Sequence, residues 1–143
     1  MIGIGCDHGG LELKKTVIEY LNKNNIEYKD FGTYTADSVD YPVYAKAVAK
    51  AVAKGECKKG ILICGTGIGI SIAANKVKGI RAALCHDVAS ARLTRLHNDS
   101  NILCMGGRII GPEHALAVVD AWLNTDFSGD ERHIRRINMI EED

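Results

Sequence analysis

The feature that most constrains the fold is a regular alternation of short apolar runs with longer amphipathic segments. Five runs have the length and apolar content that are typical of buried strands. The segments between them repeat apolar residues three or four positions apart, which is typical of helices with one buried face. We therefore predict five strands, over residues 1–6, 26–31, 60–64, 80–85 and 101–105.

The order of these elements predicts how the strands pair. Two strands of one sheet that are joined through a helix pair in parallel and form a right-handed crossover. The chain is therefore predicted to form an α/β fold, a Rossmann-like three-layer αβα sandwich with a five-stranded parallel sheet. Its 143 residues fit one domain, which we expect over residues 1–143, with a last helix at about 128–140.

Charge and cysteine content exclude several classes of function. Lys plus Arg (18) equals Asp plus Glu (18), so no broad basic surface is expected for nucleic acid or an anionic membrane. No apolar run approaches the roughly 20 residues of a membrane span, and no signal peptide is recognisable. Five cysteines without zinc-ligand spacing predict free thiols in the cytoplasm and no metal site.

Polar residues and glycines gather where several predicted strands end. In a parallel sheet flanked by helices, ligands bind beyond the carboxyl ends of the strands. We therefore expect the functional site at this edge, from segments that follow different strands. These segments are Cys6–Gly10, Cys64–Gly69, Cys85–Asp87 and Gly106–Arg108.

The most informative segment is the glycine-rich run Cys64–Ser71, which joins a buried strand to a helix. Its three glycines allow successive backbone N–H groups to point into one concavity that suits a phosphate or an enolate oxygen. The glycine spacing excludes a Walker P-loop and a complete dinucleotide fingerprint, and a phosphatase loop would need arginine at Ile70. A tight turn that binds no ligand is the alternative interpretation.

Cys64 precedes the helix that follows this turn. The positive end of the helix dipole and the clustered amides favour a thiolate there. Such a thiolate can remove a proton from the carbon beside a carbonyl while the amides hold the oxyanion, and Thr66 can shuttle a proton between the two oxygens. From the residues alone, a purely apolar role for Cys64 is equally compatible.

Three further groups have candidate roles. Asp7 and His8 follow the first strand and suit a sugar hydroxyl and a phosphate, although capping is also common there. His97 suits acid and base chemistry because histidine titrates near neutral pH. The alternative is a capping role at the end of the helix. Arg132 and Arg136 share one helical face and suit a phosphate. The alternative is that they belong to a solvent-exposed helical face that binds no ligand.

Together these motifs resemble the type B ribose-5-phosphate isomerase family, which also contains galactose-6-phosphate and allose-6-phosphate isomerases. The resemblance covers essentially the whole chain. The family also has a branch with glutamate at the position of Ile70 in place of the cysteine, so this sequence resembles the cysteine branch. Six ordered motifs carry the resemblance, namely Gly5–His8, Asp40–Pro42, Cys64–Lys76, His97–Asp99, Gly106–Arg108 and Asp120–Leu123.

The resemblance implies an aldose–ketose isomerase of the pentose phosphate pathway that interconverts ribose 5-phosphate and ribulose 5-phosphate through an enediolate, without a cofactor. Cys64 would be the base, Thr66 would assist proton transfer, and His97 would open the sugar ring. The substrate-binding residues that it implies are Asp7, His8, Tyr41, Gly65, Gly67, Ile68, Gly69, Ser71, Asn98, Arg108, Arg132 and Arg136.

The resemblance also implies a homodimer, in some members a dimer of dimers, whose sites are shared between two chains and whose last helix packs on the partner. Segment 129–133 departs from the family pattern, which affects the register of Arg132 and Arg136. Two alternatives remain open. One is an isomerase of allose 6-phosphate or galactose 6-phosphate, and the other is a non-catalytic nucleotide-binding module with Asp87 as the ribose-binding acid.

Overall fold

The computed structural model describes residues 1–142, which form five strands and six α-helices. The strands are β1 (Ile2–Cys6), β2 (Tyr28–Asp30), β3 (Lys59–Cys64), β4 (Ala82–Leu84) and β5 (Ile102–Gly106). The helices are α1 (Leu11–Lys23), α2 (Tyr41–Ala53), α3 (Ile68–Asn75), α4 (Val88–Asn98), α5 (Pro112–Leu123) and α6 (Glu131–Glu141). A 3₁₀ turn over His8–Gly10 precedes α1.

The described strands form one parallel sheet in the order β2-β1-β3-β5-β4. The predicted α/β fold with a five-stranded parallel sheet is therefore confirmed. The chain moves outward from β1 to β2 and then returns to place β3 on the other side of β1. In parallel sheets flanked by helices, ligands bind beyond the carboxyl ends of the strands at such a reversal of strand order, which here lies between β1 and β3.

The two edge strands differ from the prediction of five buried strands. β1, β3 and β5 are almost entirely buried, whereas the residues of β2 and β4 are mostly half-buried or exposed. Each edge strand has one neighbouring strand, so part of its surface stays open to solvent. This also explains why β2 and β4 are shorter than the apolar runs that predicted them.

Helices cover both faces of the sheet. On one face α1 and α5 pack through residues such as Val17 and Trp122, and on the other α2 and α3 pack through residues such as Val48 and Ile70. All four of these side chains are fully buried. Burying one such apolar side chain contributes about 2 kcal/mol relative to leaving it in water, so the amphipathic helices are held mainly by this packing.

α4 connects the two ends of the sheet. It begins after β4 at the carboxyl edge and runs back for 11 residues, or about 16 Å, to the amino edge. Its last residue, Asn98, accepts a hydrogen bond through its carbonyl from Arg81 Nε at 3.0 Å, directly before β4 begins. Asp99 ends the helix with a left-handed φ of 46°. The end of α4 is therefore opposite to the carboxyl edge.

The last helix, α6, lies against α4 of its own chain. Arg81 Nη1 and Glu141 Oε1 form an ion pair of 2.7 Å, and His133 is the buried residue of the helix. Packing of α6 on a partner subunit stays a prediction. Within residues 1–142, no helix combines the length and apolar character that crossing a membrane requires.

Candidate active site

The glycine-rich turn after β3 forms the centre of the carboxyl edge. α3 begins at Ile68, inside the run Cys64–Ser71 that was predicted to precede the helix, because Gly67 adopts a left-handed φ of 78° and caps the helix there. A Cβ at Gly67 would lie 2.6 Å from Leu84 Cδ1 and 2.7 Å from the Met105 carbonyl carbon. Glycine is therefore required at this position by both backbone conformation and space.

The Cys64 thiol lies inside this turn. Its side chain is buried, with the residue 4% exposed, and Sγ accepts a hydrogen bond from Gly67 N–H at 3.1 Å. Cys6 differs, because its Sγ donates to the Thr33 carbonyl at 3.9 Å. Burial raises the pKa of the Cys6 and Cys85 thiols to about 11. A backbone donor is thus aimed at the Cys64 sulfur, whereas the Cys6 sulfur is itself the donor.

The side chains of the turn use some of the predicted oxyanion donors. Thr66 Oγ1 accepts from Ile68 N–H at 3.2 Å, and the Gly67 amide is directed at the Cys64 sulfur. Ser71 Oγ donates to the Ile68 carbonyl at 2.7 Å. An α-helix leaves its first N–H groups without internal partners, so the amides of the first turn of α3 other than that of Ile68 remain available to an anion.

The segment after β1 packs directly against the turn. Asp7 is 6% exposed and its Oδ1 accepts from Gly9 N–H at 2.9 Å, which shapes the 3₁₀ turn. A Cβ at Gly9 would lie 3.0 Å from the backbone nitrogen of Gly65. The loops after β1 and β3 are therefore in backbone contact, and the Asp7 carboxylate lies at their junction.

The segment after β5 fixes the turn from the other side. Gly107 N–H donates to the Cys64 carbonyl at 2.8 Å, and Arg108 N–H donates to the Gly65 carbonyl at 3.0 Å. The Arg108 guanidinium also lies over Gly65, since a Cβ there would be 3.3 Å from Nη1. This arrangement brings a cation to the turn.

Two more predicted residues reach the same edge. The Tyr41 ring lies over the first turn of α3, where a Cβ at Gly69 would be 2.5 Å from Cζ. His8 Nδ1 accepts from Val39 N–H at 3.2 Å. Because a backbone N–H can only donate, neutral His8 carries its proton on Nε2, which is then a donor suited to a phosphate oxygen.

A second group of predicted residues lies at the amino edge. His97 is exposed in the last turn of α4 and stacks on His133 of α6, with ring centroids 4.5 Å apart. Burial lowers the pKa of His133, and the nearby charge of protonated His97 lowers it further. Arg132 Nη2 lies 3.5 Å from His133 Nε2. Asn98 follows His97, and Arg136 is exposed one turn after Arg132.

The structure therefore divides the predicted site residues into two groups, separated by roughly 15 Å along α4. No hydrogen bond or ion pair among the described residues joins the two groups within one chain. The amino-edge group consists of His97, Asn98, Arg132 and Arg136. The carboxyl-edge group consists of Asp7, His8, Tyr41, Cys64, Gly65, Thr66, Gly67, Ile68, Gly69, Ser71 and Arg108.

Sequence reasoning gave no role to two polar residues near the carboxyl edge, the half-buried His86 and the buried Lys14. His86 Nε2 accepts from Gly106 N–H at 2.8 Å. Lys14 is 2% exposed, and its Nζ donates to Asp30 Oδ1 at 2.7 Å and to the Thr33 carbonyl at 2.6 Å. The polar segment after the fourth predicted strand was a sequence signal for His86. Lys14 had no such signal, because a lysine on a helix usually reaches solvent.

Comparison with known proteins gives a consistent result. The chain matches the family model for ribose/galactose isomerase over residues 2–140. It is 50% identical to ribose-5-phosphate isomerase B of Escherichia coli (strain K12) over 139 residues, which cover 97% of this chain and 93% of the relative.

Solved structures of similar proteins agree in fold. Ribose-5-phosphate isomerase B of Clostridium thermocellum is 54% identical with a TM-score of 0.96, covering 98% of this chain and 94% of that structure. A ribose 5-phosphate isomerase of Thermotoga maritima is 52% identical with a TM-score of 0.97, covering 99% and 97%. The likeness extends over nearly the full length of each chain.

Proposed function

This chain belongs to the ribose/galactose isomerase family, and on that premise we propose that it interconverts ribose 5-phosphate and ribulose 5-phosphate. Relatives with about half of their residues identical carry the name ribose-5-phosphate isomerase B. The observation that carries the chemistry is the buried Cys64 sulfur, which accepts the Gly67 N–H at the beginning of α3. This arrangement suits a base beside an oxyanion site.

In the proposed reaction, the Cys64 thiolate removes the proton from the second carbon of the open-chain aldose. The electron pair forms the enediolate double bond, and the carbonyl becomes an oxyanion that the first-turn amides of α3 stabilise. Thr66 moves a proton between the two oxygens, and the Cys64 thiol returns its proton to the first carbon. Atoms and electrons balance without an oxidant.

We propose that the active unit is a homodimer in which the amino-edge group of one chain completes the carboxyl-edge group of the other. The separation along α4 supports this arrangement, because one chain alone holds the two groups apart. His97 of the second chain would then protonate the ring oxygen and open the furanose, and Asn98 would hold a sugar hydroxyl. α6 would lie at the junction of the two chains.

The remaining proposed roles concern the two ends of the substrate. His8, Arg108, Arg132 and Arg136 together would bind the phosphate dianion, for which guanidinium groups are well suited. Asp7 and Tyr41 would bind the sugar oxygens beside the Cys64 turn. The five free cysteines fit a reducing compartment, so we propose that the reaction takes place in the cytoplasm.

The test is ketose formation from ribose 5-phosphate by the wild type and by Cys64→Ala, with a chelator present. Loss of the base should lower kcat roughly 10³-fold with little change in KM. Cys57→Ala is the matched control, because Cys57 is also buried but lies before β3, at the opposite end of that strand from the turn. Full activity of Cys64→Ala would refute the base.

The same assay tests the substrate. Allose 6-phosphate and galactose 6-phosphate are compared with ribose 5-phosphate by kcat/KM, which measures differential stabilisation of the transition state. We expect the highest value for ribose 5-phosphate. A higher value for either six-carbon substrate would show that the proposed substrate is wrong while the reaction class stands.

A further inference from the structure

His86 continues the pairing of β4 with β5 beyond the end of β4. The last paired residues are Leu84 and Cys104, and the next backbone bond runs from Cys85 N–H to the Cys104 carbonyl at 3.1 Å. The chain then turns away toward α4, while β5 continues to Gly106. The buried N–H of Gly106 would lack a strand acceptor on that side, and His86 Nε2 accepts it at 2.8 Å.

This contact fixes the chemical form of the ring. A backbone N–H can only donate, so Nε2 is unprotonated and the neutral imidazole carries its proton on Nδ1. Burial lowers the pKa of His86, and the neighbouring Asp87 carboxylate opposes that shift. His114 of α5 lies near enough to Asp87 to contribute to lowering the pKa of that carboxyl. The accepting form is therefore the one present at neutral pH.

Gly106, whose N–H is bound by His86, contacts the glycine-rich turn that contains Cys64 and Thr66. A Cβ at Gly106 would lie 2.5 Å from the carbonyl carbon of Thr66, so the two backbones are in direct contact. The next residue, Gly107, donates its N–H to the Cys64 carbonyl at 2.8 Å. A shift at the end of β5 is therefore transmitted to both Thr66 and Cys64, because backbone packed against backbone cannot yield by a change of side-chain rotamer.

We propose that His86 is a positioning residue for the isomerisation. By accepting the Gly106 N–H, His86 fixes the end of β5, and the end of β5 in turn fixes the positions of Cys64 and Thr66. The kinetic part of this proposal rests on the proposed function. His86 acts through Gly106 and Gly107 rather than on the sugar. Misplacement of a reacting group by about 1 Å can cost up to roughly 100-fold in rate, so a single backbone hydrogen bond is sufficient to matter.

Three variants separate the accepting nitrogen from the bulk of the ring. His86→Gln retains an acceptor at a similar distance from the backbone, whereas His86→Leu fills space without one. His114→Gln is the matched control, since it also replaces a histidine near Asp87 but on the exposed surface of α5. All three are made in the full chain and assayed with ribose 5-phosphate.

We expect His86→Leu to lower kcat roughly 10-fold to 100-fold while KM changes by less than about threefold. His86→Gln should restore kcat to within about threefold of the wild type, and His114→Gln should match it. Wild-type kcat in His86→Leu would overturn the proposal. It would also be overturned if His86→Gln lost as much activity as His86→Leu, because an acceptor alone would then be insufficient.

A measurement independent of turnover uses ¹⁵N-labelled glycine and histidine and nuclear magnetic resonance. The wild type should show a nitrogen–nitrogen coupling across the bond from Gly106 to His86. The Gly67 amide, which donates to the Cys64 sulfur, should shift in His86→Leu and stay in place in His86→Gln. Absence of the coupling in the wild type would overturn the proposal even if His86→Leu failed to fold.

These readouts keep the two proposals distinguishable. If the wild type converted no sugar phosphate but the Gly67 amide shifted in His86→Leu, the proposed function would fail while the structural link from His86 to the thiol would stand. If the wild type were active and the Gly67 amide did not move in His86→Leu, the positioning role would be refuted and the isomerase would remain.

Discussion

The carboxyl-edge group and the amino-edge group are held in place by different kinds of contact. At the carboxyl edge, three strands end in glycine-rich loops that pack backbone against backbone, and Cys64 is 4% exposed. At the amino edge, His97 and Arg132 lie on the surface of two helix ends and are joined through His133. One half of the proposed site is thus built by the sheet, while the other half stays open.

The amino-edge group is nevertheless anchored from behind by ion pairs. Arg95 Nη1 contacts Asp99 Oδ1 at 2.8 Å and donates to the Ser100 carbonyl, and its side chain is 7% exposed. Arg81 binds the carbonyls of Asn98 and Asp99 and also reaches Glu141. The comparison indicates that backbone packing fixes the glycine-rich turn, whereas charged pairs fix the helix end that faces outward.

The largest expected effect comes from recombining the two groups. Cys64→Ala and His97→Ala should each be nearly inactive, but a refolded equal mixture should regain about one quarter of wild-type activity, because half of the dimers then contain one intact site. The measurement is ketose formation before and after mixing. A mixture of Cys64→Ala with Thr66→Ala is the control and should stay inactive, since both changes affect one group. No recovery in the first mixture would exclude shared sites.

The next effect tests the rigidity of the carboxyl edge. Gly106→Ala places a methyl group 2.5 Å from the Thr66 backbone, so we expect the free energy of unfolding to fall by about 3 kcal/mol. Gly111→Ala is the control, because a Cβ there has no neighbour within 4 Å among the described residues. Denaturant unfolding measures both, and equal stabilities would contradict the close packing.

A smaller effect is expected at the amino edge. Arg81→Ala removes the ion pair to Glu141 and the bonds to the end of α4, so the free energy of unfolding should fall by about 2 kcal/mol. Arg135→Ala, on the exposed surface of α6, should change it by less than about 0.5 kcal/mol. If the two variants were equally stable, Arg81 would not anchor this group.

The smallest effect is a pH dependence that both regions share. Burial lowers the pKa of His86 at one edge and of His133 at the other. In the unfolded chain histidine titrates near pH 6.5, so below that pH the unfolded state binds more protons and the free energy of unfolding falls. Denaturant unfolding at pH 7.5 and at pH 5.5 should show this decrease.

The variant His133→Gln tests how much of this pH dependence comes from the amino edge. Removing one of the two groups should reduce the loss of stability between these pH values. Arg135→Ala, which removes no group that titrates in this range, is the control and should leave it unchanged. The lower pH is chosen above the range where the depressed pKa values of Asp87 and Asp130 begin to contribute. An unchanged pH dependence in His133→Gln would show that this residue does not contribute.

The sequence was sufficient to predict the sheet and the carboxyl edge, for identifiable reasons. Central parallel strands are buried on both faces, so β1, β3 and β5 appear as continuous apolar runs. The start of α3 was predicted four residues late, because glycines indicate a turn and the left-handed cap at Gly67 depends on space beside Met105. The contacts of His86 and Lys14 were not predicted, because their partners lie 20 and 16 residues away along the chain.

The strand order also determines when each part of the sheet can be completed as the chain is synthesised. β1, β2 and β3 are neighbours in the sheet, so they can pair as soon as the first half of the protein has left the ribosome. β4 follows, but its partner in the sheet is β5, which is made later and fits between β3 and β4. Synthesis of β5 therefore completes two structures together, the edge of the sheet and the backbone support behind the cysteine.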